Sequence, residues 1–167
     1  MNNIEFNIRR SIRYHTKRRR FFDKLHRIVV FLTVICGSSA FVALMSDNQK
    51  IATWVTLVIT LVSLLDLAID FSGKSVLHDN LQRKFSDLLN KTIVCDDSNQ
   101  KLKELEVDRI LIEKDEPTAL KALNILCHNE QCIAQGHDKD LYDISFWRKL
   151  LRNFFSFDGW EPKLKNI

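Results

Sequence analysis

Proline and glycine are scarce, two and four among 167 residues. That scarcity excludes a collagen-like chain and argues against disordered and loop-rich all-β classes. Cysteine is sparse as well, with Cys36, Cys95, Cys127 and Cys132 only. Charge is missing from the middle of the chain, where residues 28–70 hold just Asp47, Lys50, Asp66 and Asp70. The mean hydropathy of −0.14 therefore describes no part of the molecule. Such segregation disfavours a soluble enzyme with one continuous core.

What is present falls into three blocks. Residues 1–27 carry nine cations (Arg9, Arg10, Arg13, Lys17, Arg18, Arg19, Arg20, Lys24, Arg27) against Glu5 and Asp23. Residues 71–167 are balanced, with fifteen basic and sixteen acidic side chains. Between them lie two apolar runs. The first, IVVFLTVICGSSAFVALM over 28–45, is eighteen residues without a charge; as a helix it measures about 27 Å, close to the ~30 Å hydrocarbon core. The second occupies 51–70, with Asp66 and Asp70 near its end, and residues 46–50 form a short polar turn between the two. Two spanning helices so joined run antiparallel, so the expected architecture is an all-α membrane protein. It comprises a basic juxtamembrane arm over 1–27, transmembrane helices at 28–45 and 51–70, an external turn at 46–50, and a cytoplasmic helical module over 71–167.

A secretory signal peptide fits less well, because the first run exceeds the usual apolar region and a second run follows at once. A soluble bundle needs a polar face that 28–45 lacks, and an interfacial helix needs a charged one. The basic arm places both termini in the cytoplasm of an inner-membrane protein. The cysteines then lie in reducing cytoplasm or lipid, and no disulfide framework is expected. The arm is expected to lie on anionic lipid, each Lys/Arg contributing ~1 kcal/mol; nucleic acid is the less favoured partner for Lys17-Arg18-Arg19-Arg20.

Beyond Phe71 the pattern is helical. Leu77, Leu81, Phe85 and Leu88 form one apolar stripe, and Leu102, Leu105, Ile110 and Ile112 suggest a second helix. Pro117 is expected in the first turn of a third, carrying Leu120, Leu123 and Leu126. A last helix is expected to hold Leu141, Ile144, Trp147, Leu150, Leu151 and Phe154, with breaks at Gly136 and at Asp97-Ser98-Asn99. No phosphate loop, nucleophile elbow or His-Glu-x-x-His is present, so no catalytic residue and no cofactor is expected. Cys127, His128, Cys132 and His137 match no common zinc spacing, and no metal is expected there.

The informative feature lies within the second run. Thr53, Thr56, Thr60, Ser63, Asp66 and Asp70 recur every three or four residues and so share one helix face. A polar stripe in a membrane helix faces another helix or water. Either the stripe joins helices and the aspartates mark the cytoplasmic border, or several copies turn it inward around a path with carboxylates at its mouth. The first run supplies packing positions for both, Cys36/Ala40 and Ser39/Ala43 with Gly37 beside them. A pore requires a homo-oligomer, since one hairpin encloses nothing.

Tyr14-His15-x-Lys17-Arg18-x-x-Phe21-Phe22-x-x-Leu25-His26-Arg27, Gly37-Ser38 in the first run, acids ending the second, and a helix with His78, Leu81 and Phe85 together resemble the SLATT family. So do Asp115-Glu116-Pro117, Leu120-x-Ala122-Leu123 and Cys127-x-Asn129-Glu130 downstream. The family comprises two-transmembrane effector domains of prokaryotic conflict systems, and the resemblance extends over roughly residues 9–155. It implies a membrane effector that oligomerises and breaches the inner membrane in anti-phage abortive infection. Family members accompany a sensor or second-messenger protein, and a signal here is expected from such a partner or by direct binding to the helical module. The rival from another class is a non-conducting membrane scaffold that recruits a cytoplasmic partner, as in phage exclusion. A phage holin is the third reading, though it leaves the long helical module without a role.

Overall fold

The computed structural model describes residues 3–38, 41, 46–94 and 99–165. The described chain is all-α. Its long helices are α1 (Asn3–Cys36), α2 (Gln49–Ile69), α3 (Phe71–Val94), α4 (Asn99–Glu113) and α5 (Lys121–Ala134). A 3-10 turn at Asp138–Asp140 and a short α6 (Phe146–Leu151) follow. The chain divides into two compact units, Met1–Arg18 with His78–Ile167, and Arg19–Leu77.

α1 is long because nothing interrupts it. No glycine or proline occurs before Gly37, Glu5 complements the N-terminal dipole, and Glu5–Arg9 and Asp23–Arg27 are ion pairs one turn apart. Exposed pairs of this kind contribute about 0.3–0.5 kcal/mol each. Four of the six buried positions among its described residues, Ile8, His15, Phe22 and Val29, fall every seven residues and form a seam along the helix, with Phe6 and Tyr14 buried beside it.

In the first unit that seam meets α3, whose buried residues His78, Leu81, Phe85 and Leu88 are spaced three, four and three. The stripe expected from the sequence began at Leu77; the structure leaves Leu77 exposed and buries His78 in its place. The reason is a hydrogen bond, for His78 reaches His15 while Leu77 has only area to offer. Ile8, Phe85, Leu88 and Leu105 form one core, against which Ile4, Ile12, Leu89 and Ile112 pack. Tyr14, Leu123 and Cys127 form a second. Each fully buried Leu, Ile or Phe contributes about 1.5–3 kcal/mol.

Pro117 does not open a helix. Residues 116–120 form no helix and α5 starts at Lys121, the Leu120 N–H being donated to the Tyr14 hydroxyl at 3.0 Å. Gly136, at φ +74°, ends the α5 region as expected, because the left-handed turn strains any side chain with a Cβ. The last helix is shorter than the pattern suggested. Residues 141–144 leave it to pair with the C-terminal strand-like segment, Asp143 N–H donating to Lys163 O at 2.9 Å and Lys165 N–H to Leu141 O at 2.7 Å.

The second unit contains the remainder of α1, all of α2 and the start of α3. α2 has no buried residue, and Trp54, Leu57, Leu61, Leu64 and Leu67 all face outward. Among the described residues one helical stretch, Gln49–Val94 including the Asp70 junction, is long and apolar enough to cross a membrane, and none of its apolar window is buried. The other expected span, 28–45, is helical through Cys36. Ser39, Ala40, Ala43 and the rest of 42–45 lie outside the described residues, as do Cys95 and the Asp97-Ser98 break.

Candidate functional site

Within the second unit α1 and α2 are joined by polar side chains. His26 Nδ1 lies 3.0 Å from Asp66 Oδ2, and the Thr33 and Ser63 hydroxyls are 3.1 Å apart. Phe22 stacks on Phe71 with ring centroids 6.3 Å apart. Partners that ascend along α1 descend along 63–71, so the pairing is antiparallel. Two members of the predicted polar stripe, Ser63 and Asp66, are thus brought onto α1 of the same chain.

The others are placed differently. Thr53 and Thr60 donate to carbonyls one turn back, Gln49 O and Thr56 O, which satisfies the hydroxyls inside the helix. With Thr56 they line a shallow groove of about 470 Å³ beside Ala52 and Leu57. Asp70 ends α2 in the left-handed region, φ 54°, and its Oδ1 accepts the Gly73 N–H at 2.9 Å. It caps α3. A Cβ at Gly73 would fall 2.0 Å from Asp70 Oδ2, so a side chain there would push the carboxylate out of its cap.

The basic arm is not one surface. Arg9 pairs with Glu5, Arg13 Nε donates to Gln131 Oε1 at 2.8 Å, and Lys17 meets Glu130 at 2.9 Å. Arg18 Nη1 donates to Asn153 O at 2.9 Å, and the Arg19 carbonyl accepts from Ser75. Burial lowers the affinity of the Arg10 and Arg18 guanidiniums for their protons. Arg20, Lys24 and Arg27 are exposed, and their spacing of four and three puts them on one face just before the apolar run. Cys36 and Gly37, the described packing positions of that run, sit at the end of α1 and in the turn after it.

A second polar cluster, invisible as a motif, is buried in the first unit. His15 and His78 are nearly inaccessible, their Nδ1 atoms 2.9 Å apart, and His15 Nε2 lies 3.1 Å from Glu116 Oε1. Phe85 stacks on His15 at 5.6 Å and Tyr14 meets it edge-on at 5.3 Å. Across the Nδ1–Nδ1 contact one imidazole donates and the other accepts. The cluster ties α1, α3 and the 116–120 segment together. Its sequence signal was the seven-residue spacing Ile8, His15, Phe22, Val29, in which a histidine occupies a core position.

Around Cys132 the chemistry is muted. Its Sγ lies 3.3 Å from His128 Nε2, with Asp140 O nearby, in a cavity of about 440 Å³ that includes Phe6, His137 and Tyr142. Burial pushes the Cys132 thiol up and His128 down, so thiol and neutral imidazole face each other rather than thiolate and imidazolium. Cys127, buried against Tyr14 and Leu123, is pushed up to about 12 by desolvation. Among the described residues no three His, Cys, Asp or Glu side chains are placed to hold a metal. Because His128 binds its proton less readily when folded, the unfolded chain takes up more protons just below its ordinary pKa of 6.5. Module stability is expected to fall as pH drops through about 6.5, and to recover in His128→Gln, measured by urea melts at two pH values.

No protein-family model, no curated protein and no solved structure matches the chain. Among the described residues, fold and site together define an all-α protein with one exposed helix long and apolar enough to span a membrane.

Proposed function

We propose that this chain is a membrane effector of the kind its resemblance to SLATT domains implies. Residues 28–45 and 51–70 insert as a hairpin, several copies assemble, and on a signal they permeabilise the inner membrane in anti-phage defence. The observation that carries the reading is α2, a helix of 21 residues with none buried, in a chain whose other unit buries its apolar side chains in two cores. Such a helix in water exposes far more contiguous apolar surface than soluble monomers tolerate. The groove walled by Thr53, Thr56 and Thr60 supports a hydroxyl-lined path. Arg20, Lys24 and Arg27 support the cytoplasmic orientation.

A second reading, a non-conducting scaffold, is favoured by a specific observation. Ser63 and Asp66 bond to Thr33 and His26 of their own chain, as helix glue does. Membrane potential and dye uptake in bacteria expressing the intact chain separate the two readings. The control is Asp66→Asn with Asp70→Asn at matched membrane abundance. Asparagine still caps α3 and still accepts from His26, so the variant removes charge and little else. Depolarisation by the intact chain, lost in the variant, is expected. Depolarisation by both keeps permeabilisation and retires the carboxylates, and depolarisation by neither favours the scaffold.

A further inference from the structure

The last helix presents its apolar side chains to solvent. Phe146, Trp147, Leu150, Phe154 and Phe155 are each more than half exposed within ten residues of chain. They are not on a loose tail. Ile144 is buried at one flank, Arg18 holds Asn153 O in the middle, and Arg148 lies over the Trp160 ring at 4.7 Å. Asn129 anchors the preceding strand-like segment, donating to Tyr142 O at 2.7 Å and accepting from Tyr142 N–H at 2.9 Å. The segment is thus tied to the rest of its unit while these side chains stay exposed.

Charge decides what covers that face. Between Ile144 and Phe157 there are three cations, Arg148, Lys149 and Arg152, and no acid. Arg148 Nη1 donates to Ser145 Oγ and Arg152 to Lys149 O, neutral groups both. Lys149 is exposed and Arg148 and Arg152 are half-exposed, so a second copy packed two-fold here meets an uncompensated positive segment with its own, a repulsive contact. Aromatic and leucine side chains interleaved with Arg and Lys suit the headgroup layer instead, the rings at the acyl boundary and the cations at phosphate.

We propose that the Phe146–Phe155 segment is an interfacial docking surface for anionic phospholipid, a second membrane contact separate from the spanning run. The inference rests on the membrane reading above, and its test is arranged so that the two can fail separately. The full chain is reconstituted in vesicles whose acyl chains are brominated, made either of phosphatidylcholine or of equal parts phosphatidylcholine and phosphatidylglycerol. With Trp54→Phe and Trp160→Phe, Trp147 is the sole reporter of the segment; with Trp147→Phe and Trp160→Phe, Trp54 reports the span.

Trp147 emission is expected to be quenched in the phosphatidylglycerol vesicles and spared in phosphatidylcholine. Lys149→Glu is expected to lower the docked-to-free ratio by roughly five-fold or more. Quenching of Trp54 with Trp147 untouched overturns the docking and leaves the span standing. Quenching of Trp147 but not Trp54 supports docking and overturns the span. Equal Trp147 quenching in both lipids overturns the anionic requirement. A Trp147 shielded from aqueous iodide yet unquenched by brominated lipid places a second copy on the face and overturns the proposal.

Discussion

Replacing His15 with leucine is expected to lower the stability of the helical module by about 3–5 kcal/mol. The residue is 1% exposed, at a seam position where α1, α3 and the 116–120 segment converge. Leucine fills much of the space but removes the ring nitrogen that His78 Nδ1 meets at 2.9 Å, and losing a buried polar contact of this kind costs about 1–3 kcal/mol. It also removes the acceptance of His15 Nε2–H by Glu116 and the stack on Phe85. The double variant His15→Leu with His78→Leu is expected to lose less than the sum of the single variants. The two single variants each break the same contact, which the double variant loses only once, and Glu116, partly exposed, returns to water. Urea melts of the detergent-solubilised chain by circular dichroism measure this, because apolar helices held in detergent persist while the module unfolds. Additive losses would show that the rings act separately and that the 2.9 Å contact contributes nothing.

The second large effect concerns the pairing of α1 with α2. In a cysteine-free background, Thr33→Cys with Ser63→Cys is expected to oxidise to a disulfide within one chain, since the two hydroxyls are 3.1 Å apart. His26→Ala is expected to slow that cross-link about ten-fold, the equivalent of one hydrogen bond to a charged group. The exchange His26→Asp with Asp66→His, which restores both partners at 3.0 Å, is expected to recover most of it. Asp66→Asn alone should cost little here, because its amide oxygen still accepts. Non-reducing gels read the result directly. A band at twice the chain mass would make the pairing intermolecular and assign Thr33 and Ser63 to the assembly rather than to the hairpin.

Patterning alone determined the helical class, the exposed apolar helix and the three charge blocks. Periodicity and charge are local properties, and α2 from Gln49 to Ile69 could be drawn from its hydropathy before any contact was known. The polar face of that helix was also legible, as spacings of three and four need no partner to be seen. Its division was not. Ser63 and Asp66 meet Thr33 and His26, distant in sequence, while Thr53 and Thr60 turn back on their own helix and Asp70 becomes a cap.

The same limit hid the His15, His78 and Glu116 cluster, whose members are 63 and 101 residues apart. It also divided the basic arm, because only packing decides which of nine like charges meets Gln131, Glu130 or Asn153 O and which, like Arg20 and Lys24, stays in solvent. The last helix marks the boundary between the two kinds of information. Its apolar spacing suggested burial, but Leu141 and Tyr142 pair with the C-terminal segment instead, and Trp147 is left facing outward. Sequence fixes what a face is made of; the long-range contacts decide whether the protein itself covers it.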